Sequence, residues 1–274
     1  MYPTPVRPKH PALTMLAVVT AVSLCIGACS ASGSGGSGQS LKAGSTITLG
    51  TDPTYAPFEF YQGKTLVGFD IDTANALATQ LNMKLKFVVL GAGGEDPALK
   101  AGKFDMLVNH GVSPARAQVD AFTKPFVAQN FTTIVAATSK LGNLTLADLS
   151  HMKIGVLAGG VELDFTQKAL PHANVTQYDT AQDEIRDLLL GRTDVVVEGS
   201  LNAGYTVQHL FPGQIKIGGG LLAPKSDESL LADAVQKSNT KLLSLLNTAM
   251  AAIAANGVLD RIIKKWFGDI DYAP

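Results

Sequence analysis

The sequence predicts an α/β protein in which one kind of unit occurs twice, each unit a mostly parallel sheet covered by helices. Two observations predict it. From Thr46 to Asn109 the apolar periodicity alternates between two and 3.6 residues, and after Ser139 the same alternation starts again. A strand-helix-strand rhythm of this kind favours parallel strands joined by helical crossovers. A third observation, a leader at the N-terminus, says where the two units operate.

In the first unit, Thr46–Gly50 places Ile47 and Leu49 on one face. Lys84–Leu90 places Leu85, Phe87 and Val89 on one face against Lys84, Lys86 and Val88, and both segments read as strands at period two. Between them Ile71, Ala74, Leu77, Ala78 and Leu81 recur at helical spacing. A second helix over Asp96–Ala101, stopped by Gly102, leads into a strand at Phe104–Asn109. The second unit runs strand Lys153–Leu157, helix Val161–Ala169, strand Asn174–Tyr178, helix Ala181–Leu190 closed by Gly191, and strand Asp194–Glu198.

Phe131–Ala137, β-rich and placed between the units, is a candidate crossing strand. The return crossing is open. Leu230–Gln236 is either a second crossing strand or the front of one helix from Asp227 through Ala255, and periodicity alone favours the helix. Ser238-Asn239-Thr240 has the composition of a helix cap and starts a fresh helix with Leu242, Leu243, Leu246, Met250 and Ile253 on its apolar side. Gly257 ends that helix, and Val258–Phe267 makes a last short one.

Ahead of these units, Arg7 and Lys9 precede an apolar run from Ala12 to Ala28 and then Cys29. A positive start, a short hydrophobic core and small residues before the cut make a secretory signal of residues 1–28. Ile26-Gly27-Ala28-Cys29 resembles the lipobox of bacterial lipoproteins, in which cleavage falls before the cysteine and that cysteine receives lipid. The alternative is a transmembrane anchor. It is disfavoured because the run is at the low edge of what spans a bilayer and is diluted by Thr14, Thr20, Ser23 and Gly27. Cys25 leaves with the signal, so the exported domain has no cysteine to pair and stands on its core alone. The Gly/Ser-rich stretch 29–45 reads as a flexible tether. Losing Arg7 and Lys9, and no acidic residue, takes the formal net charge from −1 to −3. So near to neutral, the chain lacks the basic signature of nucleic-acid binding.

Several motifs then point to a family. Thr51-Asp52-Pro53-Thr54-Tyr55-Ala56-Pro57-Phe58-Glu59-Phe60, with Leu66-Val67-Gly68-Phe69-Asp70-Ile71-Asp72, resembles the opening of periplasmic solute-binding proteins of amino-acid ABC transporters. Ser113-Pro114-Ala115-Arg116 is similar to that family's Thr/Ser-Pro-x-Arg turn, and Phe122-Thr123-Lys124-Pro125-Phe126 to the segment after it. Ala255-Asn256-Gly257 and Lys265-Trp266-Phe267-Gly268 resemble its closing signature. The resemblance implies a two-lobe, type II periplasmic-binding-protein fold with two crossing hinge strands, the lobes closing on a ligand. It implies that Leu230–Gln236 is the return strand. Lobe one is then 46–136 plus 230–274, and lobe two 137–229.

What the resemblance implies for the site follows from a ligand with a carboxylate and an ammonium. Arg116, held on a rigid turn by Ser113 and Pro114, is placed to bind the carboxylate with its guanidinium fork; without the family motif it reads as a solvated arginine. Gly160 and Val161, at the start of a helix, offer backbone N–H groups to the same carboxylate, although Gly-Gly before a helix also reads as a plain turn. Asp52 and Tyr55 match cleft positions, an acceptor for the ammonium and a ring against the ligand; otherwise they are a turn aspartate and a packed tyrosine. Where the family carries an aspartate after a strand of lobe two, this chain has Gly199, with Glu198 one position earlier and on the opposite face unless the strand ends or bulges there.

Gly91–Pro97 supplies no aromatic where the family offers one. Asn109 and Gly111 stand where the family often has Gly-x-Ser/Thr, and provide a side-chain amide and a backbone N–H. His110 beside them reads as a pH-sensitive contact or an ordinary packed histidine. The five histidines His10, His110, His151, His172 and His209 show no metal-ligand spacing and there is no Gly-x-Ser-x-Gly elbow, so no metal, cofactor or catalysis is expected. Two alternatives on the same fold are a cyclohexadienyl dehydratase, with Glu162 or Glu198 as general acid, and a sensory lobe for a signalling partner. The expectation is an exported, lipid-anchored, monomeric binding protein that delivers a small carboxylate-bearing solute, a polar amino acid, to an ABC permease.

Overall fold

The structure is a computed structural model that describes residues 41–91, 93–223 and 229–268. The leader, Cys29 and tether residues 29–40 lie outside the described residues. In chain order the elements are β1 (Thr46–Thr51), β2 (Thr54–Tyr55), β3 (Glu59–Gln62), β4 (Thr65–Val67), α1 (Phe69–Gln80), β5 (Lys84–Val89), α2 (Glu95–Lys100) and β6 (Met106–Gly111). Then come α3 (Arg116–Val119), β7 (Asp120–Phe122), β8 (Val127–Gln129), β9 (Phe131–Ala136), α4 (Leu146–Leu149), β10 (Lys153–Leu157) and α5 (Val161–Ala169). The chain continues through β11 (Asn174–Tyr178), α6 (Ala181–Leu189), β12 (Val195–Gly199), α7 (Ser200–Tyr205), a π-helical turn (Thr206–Leu210) and β13 (Ile215–Ile217). It closes with β14 (Ser229–Gln236), α8 (Thr240–Ala255) and α9 (Val258–Phe267).

One sheet has the order β5-β1-β6-β14-β7, with β8 also paired to β14, and a second has the order β11-β10-β12-β9-β13. The strands β1, β5 and β6 are parallel, as are β10, β11 and β12, because each is joined to the next by a helical crossover. Antiparallel β14 and β9 flank these parallel sets. A small meander, β2-β3-β4, stands apart.

One placement differs from the expectation, and at the return segment the family resemblance holds rather than the periodicity. Phe131–Ala136 is not a crossing strand but lies wholly in the second sheet, paired to β12 and β13. The chain crosses just before it, where β8 leaves its partner β14 in the first sheet and Asn130 leads into β9. The return segment is a strand, and the open choice falls against the helix that periodicity favours. Leu231, Ala232, Ala234 and Val235 are all 2% exposed or less, because β14 has paired neighbours and packed layers on both faces. A strand buried on both faces shows a continuous apolar run, which period counting cannot tell from a helix.

Each half has its own core. Ile47, Leu49, Phe58, Phe69, Leu77 and Met106 meet Leu246, Met250 and Ile253 in the first, and Leu41 joins them, so order reaches back into the expected tether. Val135, Leu149, Ile154, Val156, Val195 and Val197 make the second. Each such large side chain contributes about 1.5–3 kcal/mol by leaving water. The expected cap forms: Asn239 Oδ1 accepts from the Leu242 N–H at 3.3 Å, and Thr180 Oγ1 does the same for Asp183 at 3.1 Å. Each cap stabilises its helix by about 1 kcal/mol. At the C-terminal end, Lys265 Nζ and Trp266 Nε1 both donate to Asp72 Oδ2, at 2.6 and 2.7 Å, which ties α9 to α1.

This arrangement brings the C-terminal ends of parallel strands from both sheets to one place, where α/β sheets bind ligands. Asp52 follows β1, Gly93 follows β5, Gly111 ends β6, and Gly159 and Gly160 follow β10; all line one cavity.

Candidate functional site

The cavity measures about 110 Å³ and lies between the two halves. Asp52, Tyr55, Asn109, Gly111, Arg116, Gly160 and Val161, all singled out from the sequence, line it; Glu198 does not.

Arg116 is the cation of the cavity. The turn before it is held by Ser113, whose Oγ accepts from the Arg116 N–H at 3.3 Å. Its guanidinium is partly spent on protein groups: Nε faces Asp96 Oδ2 at 3.3 Å, Nη1 donates to the Gly111 carbonyl at 2.9 Å, and Nη2 donates to the Gly159 carbonyl of the opposite half. Of five N–H donors two remain, one on each terminal nitrogen. Burial pushes the Asp96 carboxyl up, but the His110 hydrogen bond and the charges of His110 and Arg116 outweigh it and hold it below its ordinary value. His110 Nε2 lies 2.6 Å from Asp96 Oδ1, its ring is stacked on Phe122, and burial followed by Arg116 depresses its pKa. His110 is thus a packed partner of Asp96 and stays neutral more readily than a free histidine.

The two halves approach closely here. Gly159 has φ +73, and a Cβ on it would stand 2.8 Å from the Gly93 Cα across the cleft. Only glycine suits both the left-handed backbone and the contact. A Cβ on Gly111 would stand 2.2 Å from Val161 Cγ1, again across the cleft.

Asp52 Oδ1 accepts from the Thr54 N–H at 3.2 Å and its hydroxyl at 2.9 Å, so one oxygen serves the turn, and burial raises the carboxyl's pKa. Tyr55 stacks on Phe58, with ring centroids 5.3 Å apart, and its OH donates to Glu162 Oε1 at 3.1 Å across the cleft. Glu162 also takes hydrogen bonds from its own N–H and from that of Gly199. The helix start of α5, read from the sequence as a seat for a ligand carboxylate, therefore already carries a resident carboxyl.

Glu198 stays off the cavity for a register reason. β12 pairs regularly with β9 through Glu198–Thr132 and Gly199–Phe131, so the strand neither ends nor bulges before it. Its side chain is 3% exposed and lies with Glu184 and Glu162 in the second half. Burial and then the Glu162 charge raise the Glu198 pKa well above the ordinary range, and burial followed by the Glu198 and Glu162 charges does so for Glu184. At Gly199 the room for a side chain is filled by Gln129: a Cβ there would stand 2.5 Å from Gln129 Oε1. Gln129 lines the cavity with that oxygen buried and unpartnered. No motif singles out Gln129, because its place depends on where the chain crosses.

The floor of the cavity holds Glu59, Asp70 and Asn109. Glu59 accepts from the Asp52 N–H at 3.0 Å and the Thr51 hydroxyl at 2.5 Å. Among the described residues no group of three or more His, Cys, Asp or Glu side chains is arranged to hold a metal ion.

The profile of the bacterial extracellular solute-binding proteins, family 3, matches residues 47–269. The histidine-binding periplasmic protein of Salmonella typhimurium is 32% identical over 232 residues, covering 81% of this chain and 87% of that protein. The ABC transporter arginine-binding protein 1 of Escherichia coli is 30% identical over 230 residues, covering 82% and 92%. A solved ancestral arginine-binding protein bound to arginine has a TM-score of 0.74 at 30% identity, covering 82% of this chain and 100% of that one. These relatives are named as binding proteins and not as enzymes. On the match from Ile47 to residue 269, the chain belongs to the bacterial extracellular solute-binding proteins, family 3.

Proposed function

We propose that this chain is an exported, lipid-anchored receptor that captures a small carboxylate-bearing solute, a polar amino acid, by closing its two halves and delivers it to an ABC importer. Arg116 carries the reading. Its guanidinium lines the cavity, keeps two N–H donors uncommitted, and reaches the Gly159 carbonyl of the opposite half, so one side chain can bind a carboxylate and clasp the cleft. The Tyr55–Glu162 and Gln182–Thr54 hydrogen bonds are further clasps between the halves. The relatives named for histidine and arginine support an amino-acid ligand.

A thermal-shift screen of the full-length chain against free amino acids tests this. A ligand at about 100 times its dissociation constant stabilises by about 2.7 kcal/mol, or roughly 5–10 °C for a domain of this size. A screen in which no amino acid or small carboxylate moves the midpoint rejects the function.

The anchor has a separate test. Lipid attaches only at the cysteine that becomes residue one, so Cys29→Ser should leave the chain unacylated and absent from the membrane fraction. Among the described residues no single helix is long and apolar enough to cross a membrane. Retention of the variant with residues 1–28 uncut would make the apolar run itself the anchor.

A further inference from the structure

The chain passes between the two halves twice, and the two passages differ in length. The outgoing one is a single residue, Asn130, between Gln129 of β8 in the first sheet and Phe131 of β9 in the second. The return leaves from Ala223, packed in the second core, and arrives at Ser229, which opens β14 in the first sheet. Backbone pairing joins the passages at both ends: Gln129 pairs with Ser229 in the first sheet, and the Leu222 N–H donates to the Phe131 carbonyl at 2.8 Å in the second. Between these rungs a backbone ladder cannot continue, because the outgoing passage has one residue there and the return has six, 223–228.

Asn130 supplies the missing rung with its side chain. It is 5% exposed, its Nδ2 donates to the Ala223 carbonyl at 2.8 Å, and its Oδ1 accepts from the Ala223 N–H at 3.1 Å and the Phe131 N–H at 2.8 Å. A primary amide presents a donor and an acceptor together, as a peptide does, so it makes with Ala223 the two-bond pair of an antiparallel ladder. The backbone of Asn130 is held as well. Its N–H donates to Ser200 Oγ at 3.2 Å and its carbonyl accepts from the Ser200 N–H at 2.8 Å, at the start of α7. Phe131, Ser200 and Ala223 all belong to the second half, so Asn130 moves with that half.

We infer that Asn130 is the pivot block of the hinge, its side-chain amide stapling the return passage to the outgoing one so that both bend at one level. A few residues absorb the φ/ψ change when a hinge closes. With Asn130 fixed to the second half, the outgoing passage bends on its first-half side, at the junction with Gln129. With Ala223 clamped to Asn130, the return bends beyond Ala223. The two bends then lie side by side, and the halves swing about one axis. A single axis brings the Tyr55–Glu162 bond and the Gly93–Gly159 approach back into register at each closure. Freed from Asn130, the return gains bending points as far back as Leu222, and the halves gain a twist that misaligns those contacts. The inference holds whatever solute the cavity takes.

Hydrogen exchange on the full-length chain without added ligand tests this, read amide by amide by NMR. In the wild type the Ala223 amide should exchange about as slowly as that of Leu222, since both are hydrogen-bonded. Asn130→Leu, of similar volume, and Asn130→Ser, smaller and polar, both remove the rung. Losing one hydrogen bond should speed exchange at Ala223 by up to about tenfold. The deciding amides are remote. Those of residues 93–95 and 158–161 face each other across the cleft, and should exchange at least about threefold faster in both variants, as expected for sub-global opening. The core strands β1 and β10 should keep their wild-type rates. A merely local role would speed exchange at Phe131 and Ala223 alone, and that result overturns the staple. A wild-type Ala223 amide that exchanges as freely as an unbonded one overturns it too, in a measurement that needs no variant to fold.

Discussion

Arg116→Ala should weaken capture of the ligand at least about thirty-fold while the fold persists. The guanidinium is 12% exposed and is the full positive charge of the cavity. Truncating one partner of a buried, hydrogen-bonded charge pair costs about 2–5 kcal/mol, which is roughly thirty-fold to several thousand-fold in affinity. The loss compounds here, since the same side chain donates to the Gly159 carbonyl of the opposite half. Asp96 keeps its His110 contact at 2.6 Å, so the local structure retains a partner for that carboxylate. Arg116→Lys separates charge from geometry, because an ammonium supplies the charge without the two-pronged fork. An unchanged dissociation constant by calorimetry for Arg116→Ala would reduce this residue to a strut between Asp96 and Gly159.

Gly111→Ala should act on closure itself. The added Cβ would stand 2.2 Å from Val161 Cγ1, far inside contact distance, and Val161 is β-branched at the start of a helix, with little freedom to turn away. Overpacking of this kind costs about 1–3 kcal/mol. Gly111 and Val161 lie on opposite halves, so an open form relieves the clash and the cost falls on the closed, ligand-holding state. Affinity should drop between about five-fold and a hundred-fold or more. Val161→Ala removes the obstructing methyl, so the double variant should recover most of the loss, a coupling that two independent sites would not show. Calorimetry on the four members of the cycle and small-angle scattering with and without ligand measure it. Full affinity in Gly111→Ala alone would mean that this contact does not form when the protein holds its ligand.

The regular elements are closely legible in the sequence and the short ones hardly at all. β10, α5 and β11 have the boundaries that periodicity gives, and β1, β5 and α6 agree within a residue. In β5, α5 and α6 one face packs inward, so burial repeats with the period of the backbone, whereas β10 is buried on both faces from Ile154 to Leu157. The meander β2-β3-β4 and the strands β8 and β13 leave no periodic signal, because runs of two to four residues are too short for a period. The family motifs led to Arg116, Asp52 and Tyr55, which do share one cavity. They gave no role to Glu59 or Asp70, although both stand inside the quoted motifs. An acid in the first turn of a helix, such as Asp70, is ordinary on dipole grounds alone.

The amino-acid sequence by itself determined the alternation of strands and helices and the repetition of the unit, and its near-neutral charge gave no support to nucleic-acid binding. The alternation is legible because side-chain period and capping act between near neighbours along the chain. Tertiary structure decided the rest. It made Ser229–Gln236 a strand, since its backbone partners lie on β6, β7 and β8, a hundred residues or more away. It moved the crossing to Gln129–Asn130, and thereby put Gln129 in the space above Gly199. It turned Glu162 rather than Glu198 toward the cavity, because the face a strand residue presents is set by pairing register, here with β9. Register is set by which faces of two distant segments are buried together, so the pattern of one segment alone does not place it.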